Sequence, residues 1–281
     1  DEGVSYTARM FLRIGIILMG VNLNFAEVIS VGKYSLFLML FTMATAFGAG
    51  NLIGRLFGMN WKLTNLLSVS TAICGGSAVA AVGPVIKAKD EDIAYAISST
   101  FIFDVLTVVV IPWIGMALGM STAGYGLWVG TVVNDTSSVV AAGYAFSEAA
   151  GHISVIVKLT RTLFIIPYVL IFSFITERLE ARSAGVSGRV PINWKKIFPY
   201  FIVLFLVVVA LRSTGLIPTA IVPALSTTSK FCMVMALAAI GLKTSFGEIR
   251  DIGFKPMILG FIVDTLVVLV SMCVQIATGK F

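Results

Sequence analysis

Long apolar stretches, interrupted at a few places by polar residues, run through the whole of this 281-residue sequence. A stretch of about 20 apolar residues is long enough for a helix to cross the hydrocarbon core of a bilayer. The pattern therefore predicts an all-α polytopic membrane protein that forms a single transmembrane domain over residues 1–281. The predicted helices cover roughly 8–21, 34–57, 94–118, 157–176, 197–212, 229–242 and 256–277.

Two further apolar stretches, about 64–87 and 126–146, differ from the others because glycines and polar residues interrupt them. Each of them is either a hairpin that enters and leaves the membrane on one side or a broken helix that crosses it. The two stretches also repeat one another, since residues 71–83 align with residues 131–143. Duplicated segments with polar interruptions are typical of secondary transporters.

A second internal similarity pairs residues 20–32 with residues 241–253. Basic residues then suggest an orientation, because loops rich in Lys and Arg stay in the cytoplasm. Loop 177–196 is basic and is predicted inside, whereas the uncharged loop 118–125 is predicted outside. Lys87 and Lys89 also fall inside if both interrupted stretches are hairpins. We therefore favour two opposed re-entrant hairpins within inverted repeats, with crossing broken helices as the alternative.

Composition agrees with a membrane protein, because 58% of the residues are hydrophobic and 12% are charged. Soluble domains carry about 25% charged residues, so a soluble fold is excluded. The net charge of +6 fits basic cytoplasmic loops, and no nucleic-acid partner is expected. A single His and three widely spaced Cys predict no metal site and no cofactor. The sequence shows no signal peptide.

The first interrupted stretch carries Cys74-Gly75-Gly76-Ser77 at its centre. Two glycines break a helix and let other groups approach the backbone closely, and Ser77 can cap a helix that restarts there. A helix start offers free N–H groups and the positive end of its dipole, which together suit an anion. Without a ligand, the same glycines would simply allow close helix packing.

The second interrupted stretch carries five consecutive polar residues, which are costly in lipid unless they line a cavity. Asp135 either caps the helix that follows or, as a free carboxylate, takes the proton or cation that drives transport. The sequence leaves these two roles open. The five residues are Asn134, Asp135, Thr136, Ser137 and Ser138.

Charged residues elsewhere in the apolar segments are the remaining candidates. With a helix start near 157, we expect Lys158 to extend towards the interface. Arg161 lies one turn deeper, where it can bind an oxyanion or pair with Asp135 or Asp104. Asp104 and Asp264 must each be protonated, paired or facing water.

The motifs around both interruptions, together with Val157-Lys-Leu-Thr-Arg161, resemble the YeiH family, also called UPF0324, whose members carry a sulfate-exporter label. Members usually have about two more helices before Ala8, so the resemblance implies that the family's N-terminal helices are missing here. The wider superfamily contains bile-acid symporters and sodium/proton antiporters. It implies an inverted-repeat fold, two broken elements that meet at mid-membrane, and a homodimer.

The sequence thus predicts a multi-pass protein of the plasma or inner membrane that exports a small anion, such as sulfate or a sulfonate. Coupling to Na⁺ or H⁺ stays open. An anion channel is an alternative, because opposed half-helices can also form a passive pore. An intramembrane aspartyl protease built on Asp104 and Asp264 is the enzyme alternative, although neither residue sits in a GxGD setting.

Overall fold

The computed structural model describes residues 10–22 (apart from 12, 16 and 19), 32–183, 200–243 and 253–281. Within these ranges the elements are helices and no strand occurs, which confirms the all-α fold class. Four described helices are long and apolar enough to cross a membrane, as expected for a multi-pass protein. They are Ser35–Leu56, Asp90–Ala117, Glu148–Ala181 and Lys255–Ala277.

The described helix bounds agree with the predicted segments to within about four residues, except in two places. The helix predicted at 229–242 begins earlier, at Val222, and the region after the second interruption also differs. There the predicted helix 157–176 is wrong at its start, because the chain becomes helical at Glu148 and turns briefly after Thr162. In chain order the α-helices are α1 (Gly32–Leu56), α2 (Trp61–Ala72), α3 (Gly76–Val82), α4 (Asp90–Ala117), α5 (Thr122–Val132), α6 (Thr136–Phe146), α7 (Glu148–Thr162), α8 (Ile165–Ser183), α9 (Tyr200–Ser213), α10 (Val222–Lys243) and α11 (Lys255–Ala277).

Two sequence predictions fall largely outside the described residues. These are the basic loop 177–196 beyond Ser183, and the similarity between residues 20–32 and 241–253. The inverted relation of the repeats therefore stays a prediction.

The chain divides into two compact units. The first comprises Asp1–Phe25, Ala80–Asp90 and Phe164–Lys243, and the second comprises Ala26–Val79, Glu91–Leu163 and Thr244–Phe281. In the first unit, the Ser229 hydroxyl donates to the Gly15 carbonyl at 2.7 Å. A β-carbon at Gly20 would lie 2.9 Å from the Phe205 carbonyl oxygen, so small residues allow close packing of these helices.

In the second unit, helices α2, α4 and α11 run in the same direction. The Tyr95 hydroxyl, near the start of α4, donates to the Gly253 carbonyl just before α11, at 2.6 Å. A β-carbon at Gly260 would lie 2.9 Å from Ser99 of α4 and 3.5 Å from Leu67 of α2. The three helices therefore start at a common end of this unit.

Helices α5 and α6 fold back on each other as a hairpin. The rings of Tyr125, near the start of α5, and Phe146, at the end of α6, stack with centroids 4.0 Å apart. The Tyr125 hydroxyl also donates to the Ala142 carbonyl of α6 at 2.9 Å. A broken crossing helix would place these two ends far apart, so the contacts favour the hairpin interpretation of 126–146.

The first interrupted stretch makes a similar excursion from the other end. Helix α2 starts at the end where α4 also starts, and its turn lies beside Thr100, near the middle of α4: the Ser70 and Thr100 hydroxyls are 2.6 Å apart. The chain therefore returns to its starting end before α4 begins. The second hairpin starts beside Gly115 at the opposite end of α4, where a β-carbon would be 3.6 Å from Phe146. These contacts favour two opposed hairpins.

Candidate functional site

The turn of the first hairpin is built on a glycine in the left-handed region. Gly75 has φ +65°, which side chains rarely adopt, and its N–H donates to the Ser70 carbonyl at 2.9 Å. A β-carbon at Gly75 would lie 3.5 Å from the Asn134 Cβ. Residues 73–77, the first tip, therefore touch residues 133–138, the second tip.

The second tip is a turn in which carboxylates accept from three backbone N–H groups. Asp104 of α4 accepts from the backbone N–H groups of Asn134 at 2.9 Å and Asp135 at 3.0 Å. The Asp135 carboxylate accepts from the Ser138 N–H at 3.4 Å. This contact favours the capping role of Asp135. The positive end of the α6 dipole is thus covered by two aspartates.

Arg161 joins the two tips from α7. Its side chain is 1% exposed, and its Nε donates to the Ala72 carbonyl at 2.8 Å. Its terminal nitrogens donate to the carbonyls of Thr71 and Thr131 and, at 3.3 Å, to the Asn134 amide oxygen. The guanidinium thus satisfies carbonyls at the ends of α2 and α5, where helices leave acceptors without partners. The expected ion pair with Asp135 or Asp104 is replaced by these acceptors.

Lys158 lies one turn before Arg161 and makes the same kind of bridge. The predicted position at the interface is wrong, because the side chain is fully buried. Its Nζ donates to the Ile73 carbonyl of the first tip at 2.8 Å and to the Val133 carbonyl of the second at 3.2 Å. Helix α7 enters beside α5, with a β-carbon at Gly130 only 2.7 Å from Val157 Cβ, and this close approach carries Lys158 inward.

Asp264 of α11 reaches the second tip through Asn134. The Asn134 amide nitrogen donates to Asp264 at 3.0 Å, and the Thr71 hydroxyl is a second hydrogen-bond partner of this carboxyl. Asn134 is fully buried and holds Arg161 through its amide oxygen. One amide side chain therefore connects an arginine, an aspartate and, through its backbone, Asp104.

The structure brings the sequence-predicted site residues together in the second unit. Cys74, Gly75, Asn134, Arg161, Asp104 and Asp264 are buried, whereas Gly76, Ser77, Asp135, Thr136 and Ser138 are half-buried. The Ser137 side chain lies outside the described part of the chain. Sequence reasoning placed Lys158 at the interface and outside the site, although its spacing from Arg161 puts both cations on one helix face.

Comparisons with known proteins agree with the family resemblance. The family model described as "Conserved hypothetical protein 698" matches residues 1–260. A "UPF0324 membrane protein" from Clostridium tetani is 56% identical over 288 residues, which cover 100% of this chain and 84% of that protein. Similar proteins from Streptococcus mutans and Streptococcus pneumoniae are 36% and 37% identical, again over 84% of their lengths and 99% and 100% of this chain. No solved structure matches the chain. The chain therefore belongs to the UPF0324 family of membrane proteins.

Proposed function

We propose that this protein is a secondary transporter that exports a small anion, such as sulfate or a sulfonate, by alternating access around the two tips. The observation that carries the proposal is the junction of two opposed hairpins by buried cations, Lys158 and Arg161. Irregular backbone at membrane depth is tolerated where protein or a water-filled cavity covers it. Transporters bind their solutes at such breaks.

The chemistry of the tips suits an oxyanion. Ser77, Thr136 and Ser138 lie on the two tips, are half-buried and offer hydroxyl donors. All three nitrogens of the Arg161 guanidinium already donate to protein acceptors. In the proposed site Arg161 therefore supplies positive potential rather than direct ligands, whereas the hydroxyls contact the solute.

The geometry also bears on the protease alternative. Aspartyl proteases use two carboxyl groups close enough to share one proton. In this protein Asn134 bonds to both aspartates, through its backbone N–H to Asp104 and through its amide to Asp264. This arrangement favours structural or coupling roles for the two aspartates, and we retain transport as the proposed activity.

The test is flux in sealed proteoliposomes that contain the purified chain. Labelled sulfate and methanesulfonate should each be tried, and at least one should show saturable uptake that unlabelled anion inside the vesicle accelerates. Vesicles without protein supply the control. Flux equal to that control for both anions would refute the substrate class, and ohmic single-channel steps would identify a pore instead of a carrier.

A further inference from the structure

The positive and negative charges at the two tips do not cancel when an anion binds there. Lys158 and Arg161 supply two positive charges, whereas Asp104, Asp135 and Asp264 supply three negative charges when all are ionised. Lys158 interacts electrostatically with Asp104 and Asp135, and Arg161 with Asp104 and Asp264. When all five groups are ionised, the described cluster carries one net negative charge before any solute binds.

Adding an anion to this cluster would be unfavourable, because unbalanced charges away from water are costly. A proton bound by one of the carboxylates would remove this penalty. The hydrogen bonds of the three aspartates then indicate which of them can accept a proton without breaking the tips.

Asp104 and Asp135 both hold backbone N–H groups at the start of α6. A backbone N–H can only donate, so protonating these carboxylates weakens the contacts that shape the second tip. Asp264 instead faces the Thr71 hydroxyl and the Asn134 amide. A hydroxyl can rotate from donor to acceptor, so Asp264 can change protonation state while both partners stay in place.

Asp264 also faces the tips from α11 without lying on either of them. The charged groups that interact with it are Asp104 of α4 and Arg161 of α7, while α2 contributes Thr71 and the second tip contributes Asn134. Asn134 also binds Arg161. A change in the charge of Asp264 is therefore transmitted through Asn134 to Arg161, which joins the two tips.

We propose that Asp264 takes up a proton from water when an anion binds at the tips, so that the protein moves anion and proton together. This inference rests on the proposed function. It adds the coupling ion and the residue that carries it, and it predicts one proton for each monovalent sulfonate bound.

The test measures the affinity of the full chain for methanesulfonate and for sulfate between pH 5.5 and 8.5. Both anions stay ionised over this range, so any pH dependence belongs to the protein. If one proton is taken up with each monovalent anion, the affinity for the anion falls by up to about tenfold for each unit that the pH rises. Asp264→Asn should remove this dependence and bind at pH 8.5 about as tightly as the wild type does at pH 5.5.

Two controls make the assignment specific. Glu148→Gln, an exposed carboxylate at the start of α7, should keep the wild-type pH dependence. Thr71→Val should shift the pH at which affinity changes, because it removes a partner of Asp264, and it serves if Asp264→Asn does not fold. A pH dependence that survives in Asp264→Asn, or is unmoved in Thr71→Val, overturns the assignment.

A second measurement uses the wild type alone. Adding methanesulfonate to weakly buffered protein should raise the pH reported by an indicator dye, in proportion to the anion bound. Binding without proton uptake overturns the inference and leaves the proposed function standing, and a requirement for Na⁺ in place of protons does the same. No binding of either anion overturns both.

Discussion

At the level of single residues, the buried side chains of α7 have the largest role in the candidate site. Arg161 and Lys158 contact acceptors on both tips. Buried carbonyls that lose a donor cost about 1–3 kcal/mol each. The two cations therefore stabilise the tip junction itself, in addition to the positive potential that they contribute.

Arg161→Lys tests this role while preserving the charge. A lysine nitrogen is a single point that cannot span acceptors on α2 and α5 as the planar guanidinium does. We expect anion flux to fall by about tenfold or more, with a lower thermal stability caused by unsatisfied carbonyls.

Arg178→Lys is the matched control for that substitution. Arg178 is exposed and lies 4.6 Å from the centroid of the Phe174 ring, so its replacement should leave flux nearly unchanged. Equal flux and stability in Arg161→Lys and the wild type would show that the guanidinium bridge is dispensable.

At the level of helices, close packing of α5 against α7 positions the cations. A β-carbon at Gly130 would lie 2.5 Å from the Ser154 carbonyl oxygen and 2.7 Å from Val157 Cβ. Gly130→Ala must therefore push α7 away from the second hairpin, and such overpacking costs about 1–3 kcal/mol.

The comparison for Gly130→Ala is Gly48→Ala, because Gly48 also lies within an apolar helix and has nothing within 4 Å of its added β-carbon. Alanine favours helix formation by about 1 kcal/mol over glycine, so Gly48→Ala should not lower stability. Thermal unfolding in detergent and flux should both decline in Gly130→Ala alone. Indistinguishable behaviour of the two variants would contradict the packing described for α5 and α7.

The hairpin itself can be tested with a short thiol cross-linker. Helices α5 and α6 have 11 residues each, so a continuous broken helix would separate their far ends by roughly 33 Å at 1.5 Å per residue. In a background without native cysteines, Tyr125→Cys combined with Phe146→Cys should cross-link within one chain. Failure of this pair to cross-link under conditions that label both thiols would favour the crossing helix.

The sequence predicts these hairpins because glycines and polar residues interrupt the apolar stretches. The basic loops then indicate the side of the membrane from which each hairpin enters. It does not reveal the start of α7, where Glu148 and His152 resemble a polar loop. The local signal for this start is Ser147, whose hydroxyl oxygen accepts from the Ala150 N–H at 3.1 Å as an N-cap. Once the helix starts there, Lys158 lies ten residues inside it, which explains why the expected interfacial position is wrong.

The contacts of the tip residues depend on tertiary structure and are not contained in local patterns. Asp104 looks isolated between Phe103 and Val105, yet it binds backbone N–H groups about thirty residues away in the chain. Asp264 is joined to Asn134 across 130 positions. Sequence identifies such residues as costly unless they are paired, and the fold then supplies the partners.

At the level of the whole molecule, the proposed binding position is the place where the two hairpins meet, near the middle of α4. The half-buried hydroxyls of Ser77, Thr136 and Ser138 mark that position. An anion bound there should shield the neighbouring side chains from water-soluble reagents.

Ser138→Cys, in a chain whose Cys74, Cys232 and Cys273 are replaced, allows this to be measured directly. The rate of its modification by a sulfonate-bearing methanethiosulfonate reagent should fall several-fold when sulfate or methanesulfonate is saturating, because solute and reagent compete for the tips. A cysteine at the exposed Thr122, the first residue of α5, should react at the same rate with and without the anion. If the chain transports the anion but Ser138→Cys reacts equally fast in its presence, the solute does not bind where the hairpins meet.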